Sequence, residues 1–149
     1  MIKKDFAVEI IVNGTSKKGL VEGRTLLVDF LRENAGEKSV KIGCEEGACG
    51  ACTVKIDGKI AKSCLLLAAN CHQSVVSTVT SQRDENKLSD LQQSFIDSHA
   101  LQCGYCTSGM IMSAQDFLDE NGDRDFTEDD IKQALTGNIC RCTGYRNII

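Results

Sequence analysis

Four of the nine cysteines lie close together in the first half of the chain, in the spacing Cys-x4-Cys-x2-Cys-x11-Cys. Three thiolates in one tight loop, with a fourth from elsewhere, are typical of plant-type [2Fe–2S] centres. Glycines in the loop allow positive φ angles and let backbone N–H groups approach the sulfurs. The pattern predicts an iron–sulfur site formed by Cys44, Cys49, Cys52 and Cys64.

A second set of cysteines has the spacing Cys-x2-Cys-x33-Cys-x1-Cys and comprises Cys103, Cys106, Cys140 and Cys142. Each pair precedes a predicted helix, the first near Met110 and the second near Tyr145. Helix N-termini carry partial positive charge and free N–H donors, which favour thiolates. In an extended segment, Cys140 and Cys142 project to the same side. The second set is therefore a candidate for a second cluster.

Structural zinc is the alternative for both sets, because Cys-x2-Cys pairs are typical of zinc sites. On spacing alone the first set favours iron–sulfur, whereas the second fits zinc or iron–sulfur equally well. Disulfides are not expected, since clustered cysteines in a chain without a secretory signal more often hold metal.

Cys71 belongs to neither set and is interpreted as a small buried side chain. His72 and His99 could serve a Rieske-type centre, but eight cysteines already grouped in fours make them non-ligands in our interpretation.

The composition excludes several classes of protein. The 149 residues are 42% hydrophobic and 26% charged, with a formal net charge of -4, which argues against a disordered or membrane-spanning chain. The acidic balance and the 5% aromatic content argue against a nucleic-acid partner. The longest apolar run, from Cys64 to Ala69, is too short to span a bilayer, and no targeting segment is visible. We therefore expect a cytoplasmic protein.

The elements that position the first set of cysteines are mostly strands. Alternating apolar residues over 6–12 predict a half-buried strand, and Asn13-Gly14 predicts a type I′ turn to a second strand over 15–21. A helix capped by Thr25 is expected to end near Asn34. After the cysteine loop, strands at 53–56 and 59–63 are expected to form a second hairpin that turns at Asp57-Gly58, with Cys64 closing the site from its far strand. One more short strand is expected at 75–79.

The second set lies in a helical region. The polar stretch 81–87 is expected to be a linker, which divides the chain into domains at 1–80 and 81–149. Beyond it, apolar residues recur at helical spacing in stripes that begin at Leu88 and Met110. Thr127 with Asp130 matches a capping box before a third helix, and a fourth helix is expected from about Tyr145. The predicted fold class is α+β.

Three stretches resemble one known family in order and spacing. They are IGCEEGACGACTV at 42–54, QCGYCTSGM at 102–110 and GNICRCTGY at 137–145. On these motifs the chain resembles the small iron–sulfur subunits of the molybdenum hydroxylases, the xanthine oxidase family. Within that family it is similar to the small subunits of aerobic carbon monoxide dehydrogenase and to their many relatives of other specificity. Ser108 stands where the family usually has Pro, and Ser is also acceptable just inside a helix start.

The resemblance implies an N-terminal β-grasp, plant-type ferredoxin-like domain and a C-terminal four-helix bundle. It implies that the first set of cysteines holds the cluster nearer the flavin and the second set the cluster nearer the molybdenum. Gln102 matches the glutamine that hydrogen-bonds molybdopterin, and Cys142 matches the ligand whose sulfur lies beside the pterin. The implied function is electron transfer from the molybdopterin centre through two [2Fe–2S] clusters to FAD, in a subunit that is not catalytic by itself.

The implied partners are a large molybdopterin-binding subunit and a medium FAD-binding subunit. The assembly would be a hetero-oligomer, for which a dimer of heterotrimers is one arrangement. This chain has no dinucleotide-binding glycine pattern followed by an acid, so both of those cofactors would lie on the partners. Two alternatives are a free-standing ferredoxin-like carrier, against which the short spacer before Cys64 argues, and a zinc-stabilised interaction module. The substrate stays open, since relatives oxidise carbon monoxide, aldehydes, purines or other N-heterocycles.

Overall fold

The first half of the chain forms a mixed five-stranded sheet. The computed structural model describes residues 5–83, 87–122 and 124–149. The sheet order is β2-β1-β5-β3-β4, in which β1 and β5 are parallel and all other neighbours are antiparallel. The strands are β1 Asp5–Val12, β2 Thr15–Glu22, β3 Thr53–Ile56, β4 Lys59–Lys62 and β5 Val75–Ser77.

Both predicted hairpin turns are confirmed. The first has φ angles of 49° at Asn13 and 77° at Gly14, and the second has 48° at Asp57 and 83° at Gly58. Positive φ at both central residues defines the type I′ turn, whose twist matches that of the flanking strands. The second turn matters for the first set of cysteines, because it folds β4 back onto β3.

The predicted helix after β2 is irregular, and its predicted cap is wrong. It consists of α1 Leu27–Asp29 and a π-helical segment Phe30–Asn34. Leu26, not Thr25, occupies the N-cap position, and no side chain caps the helix. The Leu27 N–H instead donates to the Leu66 carbonyl oxygen at 2.7 Å. A neighbouring segment thus replaces the side-chain cap that the local sequence predicted.

Two further expectations for the first half need correction. Cys64 was expected on a strand but lies in a 3₁₀ turn, Ser63–Leu65, directly after β4. The strand expected over 75–79 ends at Ser77, because Val79–Gln82 forms another 3₁₀ turn, in which the Thr80 N–H donates to the Thr78 hydroxyl. The expected linker 81–87 therefore begins inside that turn, and its residues 84–86 lie outside the described residues.

The second half is helical, with α2 Asp90–Asp97, α3 Thr107–Asn121 and α4 Glu128–Ala134. The predicted capping box at Thr127 and Asp130 is confirmed. The fourth helix expected near Tyr145 is a single turn, in which the Ile149 N–H donates to the Tyr145 carbonyl oxygen at 3.0 Å. Within the described residues, no helix has both the length and the apolar character needed to cross a membrane.

Each half has its own apolar core. The first packs the helix after β2 against the sheet, and its fully buried members include Ile10, Leu27, Phe30 and Leu31. The second packs the three helices and the last turn around Met110, which is also fully buried. The α+β class, with a ferredoxin-like sheet followed by a helical region, is confirmed.

Candidate metal centres

The first predicted set of cysteines comes together beside the second hairpin. Cys44, Cys49 and Cys52 lie in the irregular loop that precedes β3, and Cys64 follows β4. Because β3 pairs with β4, the ends of the hairpin bring the Cys52 and Cys64 thiols into contact. The Cys44 and Cys49 thiols form a second contacting pair. Cys44 also interacts electrostatically with Cys64, so the two pairs are neighbours and form one quartet.

The loop around this first quartet packs closely on the sulfurs. The Cys49 N–H donates to the Cys44 Sγ at 3.3 Å. A Cβ at Gly43 would lie 2.7 Å from the Cys49 Sγ, too close for any side chain. Gly47 has a φ of 81°, and a Cβ there would lie 2.6 Å from the Leu65 side chain. The loop therefore requires glycine at both positions, as the sequence pattern indicated.

Two thiols of the first quartet have pKa values displaced in opposite directions. The backbone N–H of Cys49, followed by that of Glu46, lowers the pKa of the Cys44 thiol to about 7. Burial, followed by contact with the Cys52 thiol, raises the pKa of Cys64 to about 11. At neutral pH the Cys44 thiol of the metal-free chain is therefore partly ionised, whereas Cys64 keeps its proton until a metal displaces it.

The second predicted set also comes together. Cys103 and Cys106 precede α3, with Cys106 at the N-cap position, and Cys140 and Cys142 lie in the irregular segment after α4. The Cys142 and Cys103 Sγ atoms lie 3.5 Å apart, and both residues are exposed. The Cys106 thiol contacts that of Cys140 on the buried side. This second quartet thus consists of one exposed pair and one buried pair.

Hydroxyl groups surround the buried pair of the second quartet. The Thr143 hydroxyl donates to the Cys140 Sγ at 3.1 Å, and the Tyr145 hydroxyl accepts from the Cys140 N–H at 2.9 Å. Burial acts to raise the pKa of Cys140, but the Thr143 hydroxyl and nearby N–H groups outweigh it, so that this pKa is lowered. Burial, followed by contact with Cys140, raises the pKa of Cys106 to about 12.

The arrangement of sulfurs fits binuclear clusters. The eight sulfurs approach in pairs, and a [2Fe–2S] cluster is held by two cysteines on each iron. A tetrahedral metal with sulfur bonds of about 2.3 Å holds two thiolates about 3.8 Å apart. The 3.5 Å between the Cys103 and Cys142 sulfurs is close to that separation.

The chain segments that carry the two quartets contact each other where the cysteine loop of the first half packs against the helical half. We call this contact the seam; it comprises residues 49–51, 109 and 137–139. The Ile139 N–H donates to the Cys49 carbonyl oxygen at 2.8 Å, and the Asn138 side-chain amide donates to the Gly50 carbonyl oxygen at 3.2 Å. A Cβ at Gly109 would overlap that Gly50 oxygen. One backbone hydrogen bond therefore joins a cysteine of the first quartet to the residue that precedes Cys140.

Lysines on the second hairpin also bridge the two halves. The Lys55 ammonium lies 3.0 Å from an Asp116 carboxylate oxygen and 2.9 Å from one of Asp119. The Lys62 ammonium donates to the Thr53 hydroxyl at 2.8 Å and to the Gly137 carbonyl oxygen at 3.1 Å. Burial lowers the pKa of Lys62, while the thiolates of the first quartet, Cys52 foremost, act to raise it.

Comparison with known proteins identifies the family. A profile described as a 2Fe-2S iron-sulfur cluster binding domain matches residues 10–103, and one described as a [2Fe-2S] binding domain matches residues 78–149. The xanthine dehydrogenase iron-sulfur-binding subunit of Escherichia coli O157:H7 is 41% identical over 95% of this chain and 89% of its own length. The nicotinate dehydrogenase small FeS subunit of Eubacterium barkeri is 43% identical over 95% of this chain and 88% of its length.

Solved structures agree with these matches. Quinoline 2-oxidoreductase from Pseudomonas putida 86 superposes with a TM-score of 0.92 at 42% identity, over 97% of this chain and 88% of the matched chain. The chain belongs to the small iron–sulfur subunits of the molybdenum hydroxylases. The aldehyde oxidoreductase of Desulfovibrio desulfuricans ATCC 27774 shows the same fold with a TM-score of 0.88 and 39% identity, but this chain corresponds to only 16% of it.

As a small subunit of a molybdenum hydroxylase, the chain is an electron-transfer component of a heteromeric oxidoreductase and is not its catalyst. It carries [2Fe–2S] centres, and the complexes of this family carry a molybdenum cofactor and FAD on partner subunits. The predicted family, function class and cofactors are thereby confirmed.

The other residues that the sequence analysis considered for a functional role occupy different kinds of position. Gln102 is exposed directly beside Cys103. Cys71 is 5% exposed and packs in the first core, as expected for a small buried side chain. The His72 ring accepts the Glu9 N–H at 3.0 Å through Nδ1, which gives that histidine a structural role. Sequence reasoning assigned no role to Lys62, two positions before Cys64, or to Asn138, inside the third motif, because their contacts depend on how the two halves pack.

Proposed function

We propose that the eight paired cysteines are the ligands of two [2Fe–2S] clusters. The first cluster would be held by Cys44, Cys49, Cys52 and Cys64, and the second by Cys103, Cys106, Cys140 and Cys142. The contacts between the thiols support this assignment, because each quartet divides into two pairs that suit the two irons of one cluster. The separate apolar cores of the two halves likewise support a domain boundary near residue 80.

The order of the electron route is inferred from the resemblance to the family. Electrons would pass from a molybdenum cofactor on a large subunit to the second cluster, then to the first, and then to FAD on a medium subunit. The seam supports transfer between the two clusters, because there the Ile139 N–H donates to the Cys49 carbonyl oxygen. That bond gives a short through-bond connection between the ligand segments of the two clusters.

The second quartet offers a surface for the large subunit. Cys103 and Cys142 are exposed, and Leu101, Tyr105 and Ile139 are exposed apolar residues of the same region, with Ile139 at 52%. Large exposed apolar side chains around a polar site are typical of a protein interface. Gln102 would contact molybdopterin through its side-chain amide, and the Cys142 sulfur would lie near the pterin.

The first quartet offers a second surface. Leu65 lies against Gly47 of the cysteine loop and is 58% exposed, so it would be covered by the medium subunit. A chain with two such faces would lie between two partners, which supports a hetero-oligomer with a dimer of heterotrimers as one arrangement. We further propose that the complex acts in the cytoplasm.

The substrate would be selected by the large subunit. Relatives that are 38–44% identical to this chain serve enzymes named for nicotine-derived compounds, caffeine, nicotinate, xanthine or aldehydes. Small subunits this similar therefore accompany different substrates, which supports placing the substrate pocket outside this chain.

Metal analysis of the native complex tests the proposal. We expect two [2Fe–2S] clusters per chain, with two distinct paramagnetic signals after reduction, and co-purification with a molybdenum-containing and a flavin-containing polypeptide. A stable monomer with one cluster would instead indicate a free-standing carrier. Zinc in a colourless preparation would contradict the assignment altogether.

A further inference from the structure

The Lys62 side chain is a basic group that the second hairpin places beside the first quartet. Lys62 is the last residue of β4 and precedes Cys64 by two positions. Its ammonium is fixed by two acceptors, the Thr53 hydroxyl at 2.8 Å and the Gly137 carbonyl oxygen at 3.1 Å. These acceptors come from opposite sides of the seam, so the positive charge is held at the boundary between the two quartets.

The charge of Lys62 has no carboxylate partner among the described residues. Lys55, on the adjacent strand, is paired with Asp116 and Asp119, whereas both atoms that Lys62 contacts are uncharged oxygens. Thr53, which accepts from the ammonium, directly follows Cys52, so the charge lies beside the first quartet, whose thiolates act to raise the pKa of Lys62. The half-buried position weakens solvent screening, so this interaction is stronger than that of a surface lysine.

We propose that Lys62 sets the reduction potential of the first cluster, as a positioning residue that acts through its fixed positive charge. This inference rests on the proposed assignment of the first quartet as cluster ligands. Reduction adds one electron, and hence one negative charge, to the cluster without breaking a bond. A nearby fixed cation stabilises the reduced form more than the oxidised form. The charge thereby makes the first cluster a better electron acceptor than it would be without Lys62, which favours flow from the second cluster toward the first.

The test is a redox titration of the intact complex, followed by paramagnetic resonance. Lys62→Met removes the charge and both hydrogen bonds, Lys62→Gln removes only the charge and keeps a donor for Thr53, and Lys62→Arg keeps the charge. Lys59→Met is the matched control, because Lys59 is an exposed lysine of the same strand. The signal of the first cluster is assigned by the change in its g values in Cys44→Ser.

We expect the ratio of reduced to oxidised first cluster at a fixed potential to fall about tenfold in Lys62→Met and in Lys62→Gln. Tenfold is the effect of a unit charge about 10 Å away at an effective dielectric constant of about 20. For a one-electron couple it corresponds to a potential lower by about 59 mV. Lys62→Arg and Lys59→Met should stay within about twofold of the unmodified complex, and the second cluster should shift less than the first.

Unchanged ratios in both neutral variants, or an equal fall in Lys59→Met, would overturn the proposal. A fall in Lys62→Met alone would also overturn it, because the hydrogen bonds rather than the charge would then matter. If both neutral variants lose the first cluster and Lys62→Arg keeps it, the charge serves to hold the cluster rather than to set its potential. Failure of the proposed function is distinguished by the unmodified complex itself, which would then lack the first signal.

Discussion

The two quartets each gather four cysteine thiols, but the surrounding chain positions those thiols in different ways. The first depends on a glycine-rich loop that folds over the sulfurs and on a hairpin that brings Cys64 beside Cys52. The second depends on the start of α3 and on an irregular segment after α4, and it leaves Cys103 and Cys142 exposed. No cysteine of the first quartet is exposed, whereas the second quartet presents two exposed thiols. The difference shows that the second quartet allows a partner to touch its sulfurs directly, while a partner of the first would contact the loop that covers them.

The largest expected effect comes from substituting one cysteine of a quartet while the other quartet stays intact. Cys64→Ala should remove the first cluster, and Cys106→Ala the second, because a [2Fe–2S] centre requires four protein ligands. Each variant should lose about half of the iron and one of the two paramagnetic signals. Cys71→Ala is the control and should keep all of the iron, since Cys71 packs in the first core. Loss of both signals in either ligand variant would show that the quartets do not assemble independently.

The rate of electron transfer should depend on the exposed pair of the second quartet, Cys103 and Cys142. Cys142→Ser is expected to slow reduction of the flavin by substrate in the intact complex at least about tenfold, since it alters the exposed ligand pair proposed to face the pterin. Stopped-flow absorbance would measure that rate. Cys71→Ser should leave it unchanged, and an equal loss in the two variants would contradict the division between ligands and packing residues.

Thiol reactivity in the metal-free chain sharpens the comparison. The pKa of Cys44 is lowered to about 7 and that of Cys106 is raised to about 12. The thiolate of Cys44 therefore forms as the pH rises through about 7, whereas Cys106 stays protonated until near pH 12. At pH 7.5 we expect iodoacetamide to modify Cys44 at least about 100-fold faster than Cys106, as measured by peptide mass mapping. In urea the two rates should converge, and a difference that persists there would contradict the structural cause.

Overpacking of the seam tests whether the two halves form one unit. Gly109→Ala places a methyl group against the Gly50 carbonyl oxygen, which is backbone and cannot move aside. We expect a loss of about 3 kcal/mol of unfolding free energy, or about 10 °C in Tm. Thermal unfolding of the cluster-loaded chain measures this loss. Gly137→Ala is the matched control, because its Cβ would make an ordinary 3.4 Å contact with Lys62, and a similar loss there would contradict the argument.

The smallest expected effect concerns the ion pairs at the same boundary. Lys55→Met removes the pairs with Asp116 and Asp119, whose carboxylates raise the pKa of Lys55. Because these side chains are partly exposed, the loss should be only about 1 kcal/mol, and it should shrink in high salt. Lys59→Met should change nothing measurable. A loss in Lys55→Met that does not depend on salt would indicate packing rather than charge.

The parts of the fold that were predicted correctly depend on local chemistry. Asn13-Gly14 and Asp57-Gly58 determine turns whatever surrounds them, and Thr127 with Asp130 forms its capping box within four residues. The grouping of the cysteines into two sets of four was also predictable, because their spacing is typical of loops that enclose a cluster. Thr25 failed as a cap because a distant carbonyl, that of Leu66, satisfies the helix instead.

The contacts between the halves could not be predicted in the same way. Lys62 and Gly137 are 75 positions apart, and their contact exists only after both cores have packed. Asn138 likewise meets Gly50 and Ser113, neither of which is its neighbour in the sequence. Spacing thus identified which atoms are candidate ligands, whereas the groups that adjust those atoms come from tertiary packing.

The absence of a side chain at Gly109 has a kinetic consequence. A Cβ at this position would overlap the Gly50 carbonyl oxygen, so only glycine lets the start of α3 lie this near the cysteine loop. Tunnelling rates fall exponentially with the gap that an electron must cross, so a bulkier residue that pushed the halves apart would slow the hop between clusters. A position that carries only hydrogen thereby keeps that gap short.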